Sequence, residues 1–173
     1  NFRDLGGYPS YSTKKQMRWG MIYRSAEIDS LECSSRRELK NLGIKTLIDL
    51  RASSEIGRQS PLQKGFNVVH IPLATGDMEG ILKGIREEKI KCDTVYRMVE
   101  RMNRILIDQY TKEYRQIFDI LLDKNSYPVV IHCSSGKGRT GIVSALVLAA
   151  LGINEDIIME DYRLSNDYFN IPS

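Results

Sequence analysis

His132-Cys133-Ser134-Ser135-Gly136-Lys137-Gly138-Arg139-Thr140-Gly141 lies between an apolar run that ends at Ile131 and another that begins at Ile142. Upstream, Tyr127-Pro128-Val129-Val130-Ile131 is β-branched and bounded by a proline, the pattern of a buried strand. Downstream, residues 141–151 are rich in Ala and Leu and long enough for a buried helix. The ten residues therefore form a loop from a strand end to a helix start. Such a loop suits an anion, because the first helical turn has free N–H groups and about half a positive charge, and successive loop amides add donors. Cys133 in that field is favoured as a thiolate, next to helix-start amides, a cation and the Thr140 hydroxyl. A thiolate beside a bound phosphate is a nucleophile aimed at phosphorus. Arg139 returns on the far side with a planar fork that can hold two phosphate oxygens and follow them into the transition state. Gly136, Gly138 and Gly141 let the backbone curl without a Cβ in the way.

Five residues separate Cys133 from Arg139, with His132 before and Thr140 after, and this loop resembles the signature of the cysteine-dependent protein tyrosine phosphatase superfamily. A structural cysteine in a turn would not need Gly, Lys, Gly and Arg arranged behind it. A nucleotide-binding Walker loop fails on counting, since Ile131 and Gly138 stand where it needs Gly and Ser or Thr. The similar sulfurtransferase loop is usually one residue shorter. The N-terminal Asn1-Phe2-Arg3-Asp4-Leu5-Gly6-Gly7, then Tyr23-Arg24-Ser25, Asp49-Leu50-Arg51 with Glu55 four residues on, and later Asp161-Tyr162 and Ser165-Asn166 resemble one bacterial branch of these phosphatases. The resemblance covers the chain from Asn1 to about Asn166 and implies a single phosphatase domain over 1–173. Family members often continue past this point, which leaves truncation at the C-terminus open.

The rest of the chain alternates strand and helix signals. Residues 1–8 read as a turn feeding a short strand, and residues 20–25 as a strand ending in Arg24 and Ser25. Arg3 and Arg24 either fix loops by pairing with Asp4 or Asp49, or border the anion site. Ser35-Arg36-Arg37-Glu38 is a capping box for a helix that stops at Gly43. Residues 45–51 read as a buried strand whose end carries Asp49 and Arg51, either a loop tie or support for the site; residues 67–73 are a third strand. Residues 78–102 carry apolar residues at helical spacing around a charged joint, two short amphipathic helices. These are either a lid, as in some members of the resembled branch, or an ordinary packed pair. Leu106, Ile107, Tyr110, Tyr114, Ile117, Phe118 and Leu121 mark one long helix, and Asn154 caps the last one. The expected fold is α/β, a central mostly parallel sheet flanked by helices, with the active loop at a strand's C-terminal end.

Composition narrows the remaining choices. A chain of 173 residues with 42% apolar content is one domain's worth of core. A net charge of +3 is too small to argue for nucleic acid and does not repel an anionic substrate. Cys33, Cys92 and Cys133 are odd in number and widely spaced, which suggests neither a disulfide framework nor a metal site and fits a reducing compartment. No run of about eighteen apolar residues exists to span a membrane. The cytoplasm is favoured, with secretion left open because the chain begins at Asn1 without a Met.

The resemblance departs from the branch at one place. Members usually carry Asp immediately before the loop arginine, taken as the general acid, and here that residue is Gly138. Superfamily chemistry implies an Asp on a separate loop, which makes Asp77 the candidate, with Asp108 and Asp161 behind it; Asp77 also reads as a helix N-cap. The resemblance implies a metal-free, cofactor-free phosphomonoester hydrolase in which Cys133 attacks and the amides from Ser134, Ser135, Gly136, Lys137 and Gly138 to Arg139 hold the phosphate. Thr140 would ease thiolate release, and His132 would orient the loop. Its substrate would be a phosphorylated protein, with phosphate or sulfate binding in the loop. Lys137-Gly138-Arg139 is also similar to the loop of phosphoinositide phosphatases, where an added cation holds a multiply charged headgroup. A non-catalytic phosphate-binding module is the third reading.

Overall fold

The computed structural model describes residues 1–28, 33–56, 65–74, 84, 87 and 92–168. In chain order its elements are β1 (Arg3–Asp4), β2 (Ile22–Ser25), α1 (Cys33–Asn41), β3 (Thr46–Asp49), β4 (Asn67–His70), α2 (Cys92–Gln109), α3 (Thr111–Leu122), β5 (Val129–His132), α4 (Gly138–Ala150) and α5 (Glu155–Asp167). The strands form one sheet in the order β1-β2-β5-β3-β4, parallel throughout except for β1. This is the expected α/β architecture. β2, β3 and β5 are buried along their whole length, which is why Val129-Val130-Ile131 of β5 reads as a continuous apolar run and not as an alternating one.

Strand alternation sorts the core onto the two faces of the sheet. Ile22, Ile48, Val129 and Ile131 pack with Leu106, Ile117, Val143 and Leu148 of α2, α3 and α4. Tyr23, Leu47 and Val130, one residue out of step, pack with Leu39 of α1, Ile44 and Phe66. Across the sheet Ser25, His132, Asp49 and His70 fall in one register row at the C-terminal edge. Cys133 follows directly above that row, in the place where an open parallel sheet presents its ligands.

Three readings of the elements need correction. Strand β1 precedes the Gly6-Gly7 turn instead of following it. Helix α1 opens at Cys33, upstream of the predicted cap, so Ser35 lies inside the helix. The long helix drawn through Tyr110 is two helices, and its first half is continuous with the segment from Val95 to Met102. Tyr110 leaves helical geometry (φ −108°, ψ 28°), its hydroxyl donates to the Ala74 carbonyl at 2.9 Å, and the Tyr114 hydroxyl donates to Leu106 O across the break at 2.6 Å. The upstream part of the 78–102 segment, and with it the lid reading, lies outside the described residues.

Candidate active site

Helix α4 begins at Gly138, earlier than the apolar pattern predicts, so Arg139 and Thr140 stand in its first turn. Cys133 is 1% exposed, and the Gly136 N–H donates to its sulfur at 3.3 Å. The loop's carbonyls are taken up from outside. Ser134 O accepts from the Glu27 N–H at 3.0 Å, Ser135 O and Gly136 O accept from Asn1 Nδ2 at 3.3 and 3.1 Å, and Gly136 O accepts from Arg24 Nη2 at 3.0 Å. With these carbonyls held from outside, the Gly136 N–H faces the sulfur, the polarity an anion requires. Gly136 makes the turn possible: its φ is +69°, and a Cβ there would stand 2.5 Å from Ser25 C and O and Ala26 N.

Arg139 is aimed by Glu55, a residue the loop motif does not contain. Glu55 lies in a single 3-10 turn, Ser53–Glu55, after β3. Its carboxylate takes Arg139 Nη1 at 2.5 Å and Nη2 at 2.7 Å, and it also accepts from the Ser134 hydroxyl at 2.6 Å and the Ala52 N–H at 2.7 Å. Partial burial works against this charge, but the hydrogen bonds from Arg139, Ser134 and Ala52 outweigh it and hold the Glu55 carboxyl down at about 2. Arg139 Nη1 also points at Leu50 O (3.4 Å) and Leu73 O (3.5 Å). The outer edge of the guanidinium is thus occupied. Nη2 also donates to the Ser134 hydroxyl at 3.4 Å, and a phosphate that takes the Nε/Nη2 edge with two oxygens side by side replaces that long contact.

Two ion-pair groups lock the loop from behind. Arg24 and Arg3 both pair with Asp161, at 2.5 and 3.2 Å, and share the Ser165 hydroxyl. The expected partners Asp4 and Asp49 are therefore wrong for these arginines; Asp4 accepts instead from the N–H groups of Gly6 and Gly20. A guanidinium in a dry interior needs a carboxylate that is equally dry; Asp161 on α5, 1% exposed, meets that need, whereas Asp4 is only half-buried and Asp49 is already taken by Arg51. Arg24 then reaches Gly136 O and so borders the site. On the other flank Arg51 pairs with Asp49 at 2.6 Å and with Glu27 at 3.2 Å, and Glu27 carries the N–H that holds Ser134 O. Burial raises the Asp49 carboxyl, yet the hydrogen bonds and charge of Arg51, with His132, bring it below the usual carboxylate range. His132 Nε2 stands 4.0 Å from Asp49 Oδ2.

The mouth of the site is a cavity of about 340 Å³ between the loop and two helices, lined by Val99, Met102, Asn103 and Leu106 of α2 and by Tyr162 of α5. Tyr162 packs against Gly141, where a Cβ would lie 2.6 Å from its ring. Lys137 Nζ donates to Asn166 Oδ1 at 2.6 Å, which turns the loop's extra cation toward α5. Gly138 has open space around it. The Thr140 hydroxyl is fully buried and has no hydrogen-bond partner among the described residues. Asp77 lies outside the described residues. Asp161, held by two arginines and 1% exposed, is a structural anchor and not an acid facing the cavity, and Asp108 is exposed on α2. Glu55, Asp161 and Tyr162 had a signal in the sequence only as members of a pattern, and Glu27 had none; the partners of Glu55 and Asp161 lie far away in the chain.

The chain is 32% identical to the triple specificity protein phosphatase PtpB of Mycobacterium tuberculosis, over 96% of its own length and 67% of that protein's. It is 28% identical to a candidate tyrosine-protein phosphatase of Cupriavidus necator, over 96% of its own length and 60% of the relative's. The chain thus spans about two thirds or less of the length of these relatives. Among solved structures, the catalytic core of Siw14 superposes with a TM-score of 0.57 at 16% identity, covering 88% of this chain and 72% of that one, a likeness of fold. Among the described residues no helix is long and apolar enough to cross a membrane. The sequence model of the tyrosine phosphatase family accounts for residues 1–172, extending from the N-terminal strand through the loop to α5, and the chain belongs to that family.

Proposed function

We propose that the chain is a cysteine-dependent phosphatase that removes phosphate from protein phosphotyrosine through a cysteinyl-phosphate intermediate. The observation that carries this reading is the buried Cys133 sulfur with the Gly136 N–H turned onto it and Arg139 fixed beside the loop by Glu55. Phosphate enters the loop, its equatorial oxygens on the loop amides and the Nε/Nη2 edge of Arg139. The sulfur of Cys133 bonds to phosphorus as the bond to the leaving oxygen breaks, and Asp77 gives that oxygen a proton. Water then attacks phosphorus, the S–P bond breaks, and Asp77 takes the water's proton while the Thr140 hydroxyl stabilises the departing thiolate. The backbone leading to Asp77 supports its candidacy: Leu73 O lies 3.5 Å from Arg139 Nη1, and Ala74 is tied by Tyr110. His132, Arg24, Asp49 and Arg51 act through the loop's position.

Phosphotyrosine is favoured over a phosphoinositide because Lys137, the cation a multiply charged headgroup would use, is engaged with Asn166. The walls of the cavity, Val99, Met102, Leu106 and Tyr162, suit an aromatic ring. PtpB is named for triple specificity, so phosphoserine and phosphothreonine peptides and a phosphoinositide headgroup belong in the same assay. The deciding experiment measures kcat/KM against pH for an aryl phosphate with a good leaving group and for a phosphotyrosine peptide, with the parent and with Asp77→Asn. The expected result is loss of the basic limb, with far more damage to the peptide reaction than to the activated ester. Equal profiles would remove Asp77 from the mechanism, and inertness of the parent toward both substrates would leave a phosphate-binding module. Turnover surviving Cys133→Ser would end the reading.

A further inference from the structure

The hairpin over residues 8–19 stands at the opposite end of the sheet from the loop. It is closed by Met17 N–H to Tyr8 O and Ser10 N–H to Lys15 O, both 2.8 Å. It is pinned to the end of α4 by Tyr11 N–H to Gly152 O at 2.8 Å and by a bridge between Ser10 and Ile153. Between hairpin and helix end lies a cleft of about 360 Å³, a size within the roughly 300–1,000 Å³ typical of small-ligand pockets. Met17, Met21, Ile22, Tyr127, Leu151 and Ile153 give it an apolar floor. Lys15 and Arg18 stand at its rim, both exposed, and among the described residues no carboxylate pairs with either. Residues 8–19 hold a third cation, Lys14, and no acid.

A greasy floor beneath unpaired cations selects for a ligand with both properties. A neutral apolar molecule would cover the floor but gain nothing from the two hydrated cations at the rim, and a nucleotide or phosphate would leave the floor uncovered. From these features we infer that the cleft binds a single-chain amphiphile with an anionic head, a fatty acid being the simplest, with its chain on the floor and its carboxylate at Lys15 and Arg18. The site is separate from the phosphate loop: α4, thirteen residues long, spans about 20 Å between them.

Trp19 supplies the readout, being the single tryptophan of the chain, 66% exposed and next to Arg18 in the hairpin. Laurate, kept below its micellar concentration, is titrated into the intact chain and followed by Trp19 emission and by calorimetry. The expected result is saturable one-to-one binding, weakened about ten-fold in Lys15→Glu/Arg18→Glu and in Ala150→Phe, which fills the cleft from the exposed helix end. Submicellar dodecyl maltoside, with the same chain and a neutral head, binds more weakly by a similar factor. If the charge reversal prevents folding, Ala150→Phe carries the comparison alone. The inference is overturned by absence of saturation, by equal affinity for the neutral amphiphile, or by full affinity in the folded variants. Binding to phosphatidylglycerol vesicles with none to monomeric laurate also overturns it, since the hairpin would then be a membrane contact. None of these outcomes depends on whether Cys133 is catalytic.

Discussion

Glu55 decides how much of Arg139 is available to a substrate. With Nη1 and Nη2 each bound to a carboxylate oxygen of Glu55, the fork is held in one orientation beside the loop. Glu55→Gln removes the charge while keeping the shape, so Arg139 loses a charge-assisted pair worth roughly 1.5–3 kcal/mol. The expected consequence is a fall in kcat/KM of about ten- to a hundred-fold, with Cys133 still present and titratable by an alkylating reagent. Arg139→Lys is expected to fall further, by about 10²–10³ in kcat, because a point charge cannot bind two oxygens in a plane. Steady-state kinetics on one aryl phosphate checks both; a Glu55→Gln enzyme equal to the parent would mean that Arg139 is aimed by something else. Gly136 sets a different limit at the same scale. Gly136→Ala meets both a left-handed φ and backbone atoms of Ser25 and Ala26 at 2.5 Å. It is expected to lose phosphate binding, measured by calorimetry, since backbone atoms cannot yield as a side chain would.

At the scale of elements, the loop is held where β2, β5, α4 and α5 meet, and Asp161 is the joint. Its carboxylate serves Arg24, whose side chain is fully buried, and Arg3, which is nearly so. Asp161→Asn leaves two buried cations without a counter-charge, for which the expected loss is about 3–5 kcal/mol, read as a lower urea midpoint at unchanged slope. Loss of activity accompanies it, because Arg24 also holds Gly136 O. These joints mark the limit of what the sequence discloses. The loop was legible because its nucleophile, donors and fork are contiguous, and the Asn154 cap because its hydrogen bond to the Asp156 N–H is local. The Glu55–Arg139 and Arg3–Asp161 pairs span 84 and 158 residues, and no spacing rule connects them. The break at Tyr110 stayed hidden for another reason: Leu106, Tyr114 and Ile117 keep the apolar rhythm on both sides of it and are buried in one core. Periodicity reports which face is apolar, not whether the axis bends.

For the whole molecule, the shifted groups define how stability varies with pH. Glu55 is held at about 2 and Asp49 is also lowered, so each carboxylate adds stability that is fully present above its unfolded value and is lost as the pH falls through its folded one. For Glu55 that window runs from about pH 4.5 down to about 2. On the alkaline side the signs reverse. Tyr8 and Tyr114 are pushed up to about 12, mainly by burial, with Asp161 adding to the effect at Tyr8. Between about pH 10 and 12 the unfolded chain gives up these phenolic protons while the folded chain keeps them, so stability declines with rising pH. The expected curve of urea midpoint against pH has a plateau bounded by an acid arm and an alkaline arm. Glu55→Gln flattens the acid arm below about pH 4.5 and leaves the alkaline arm unchanged. Tyr114→Phe does the opposite, lowering the plateau through the lost bond to Leu106 O and shallowing the decline above about pH 10. Because the two groups sit on different elements and share no partner, the double variant shifts both arms additively. An acid arm that persists unchanged in Glu55→Gln would mean that its carboxylate is no more stabilised in the folded chain than in the unfolded one, and the clamp on Arg139 would then contribute nothing to folding.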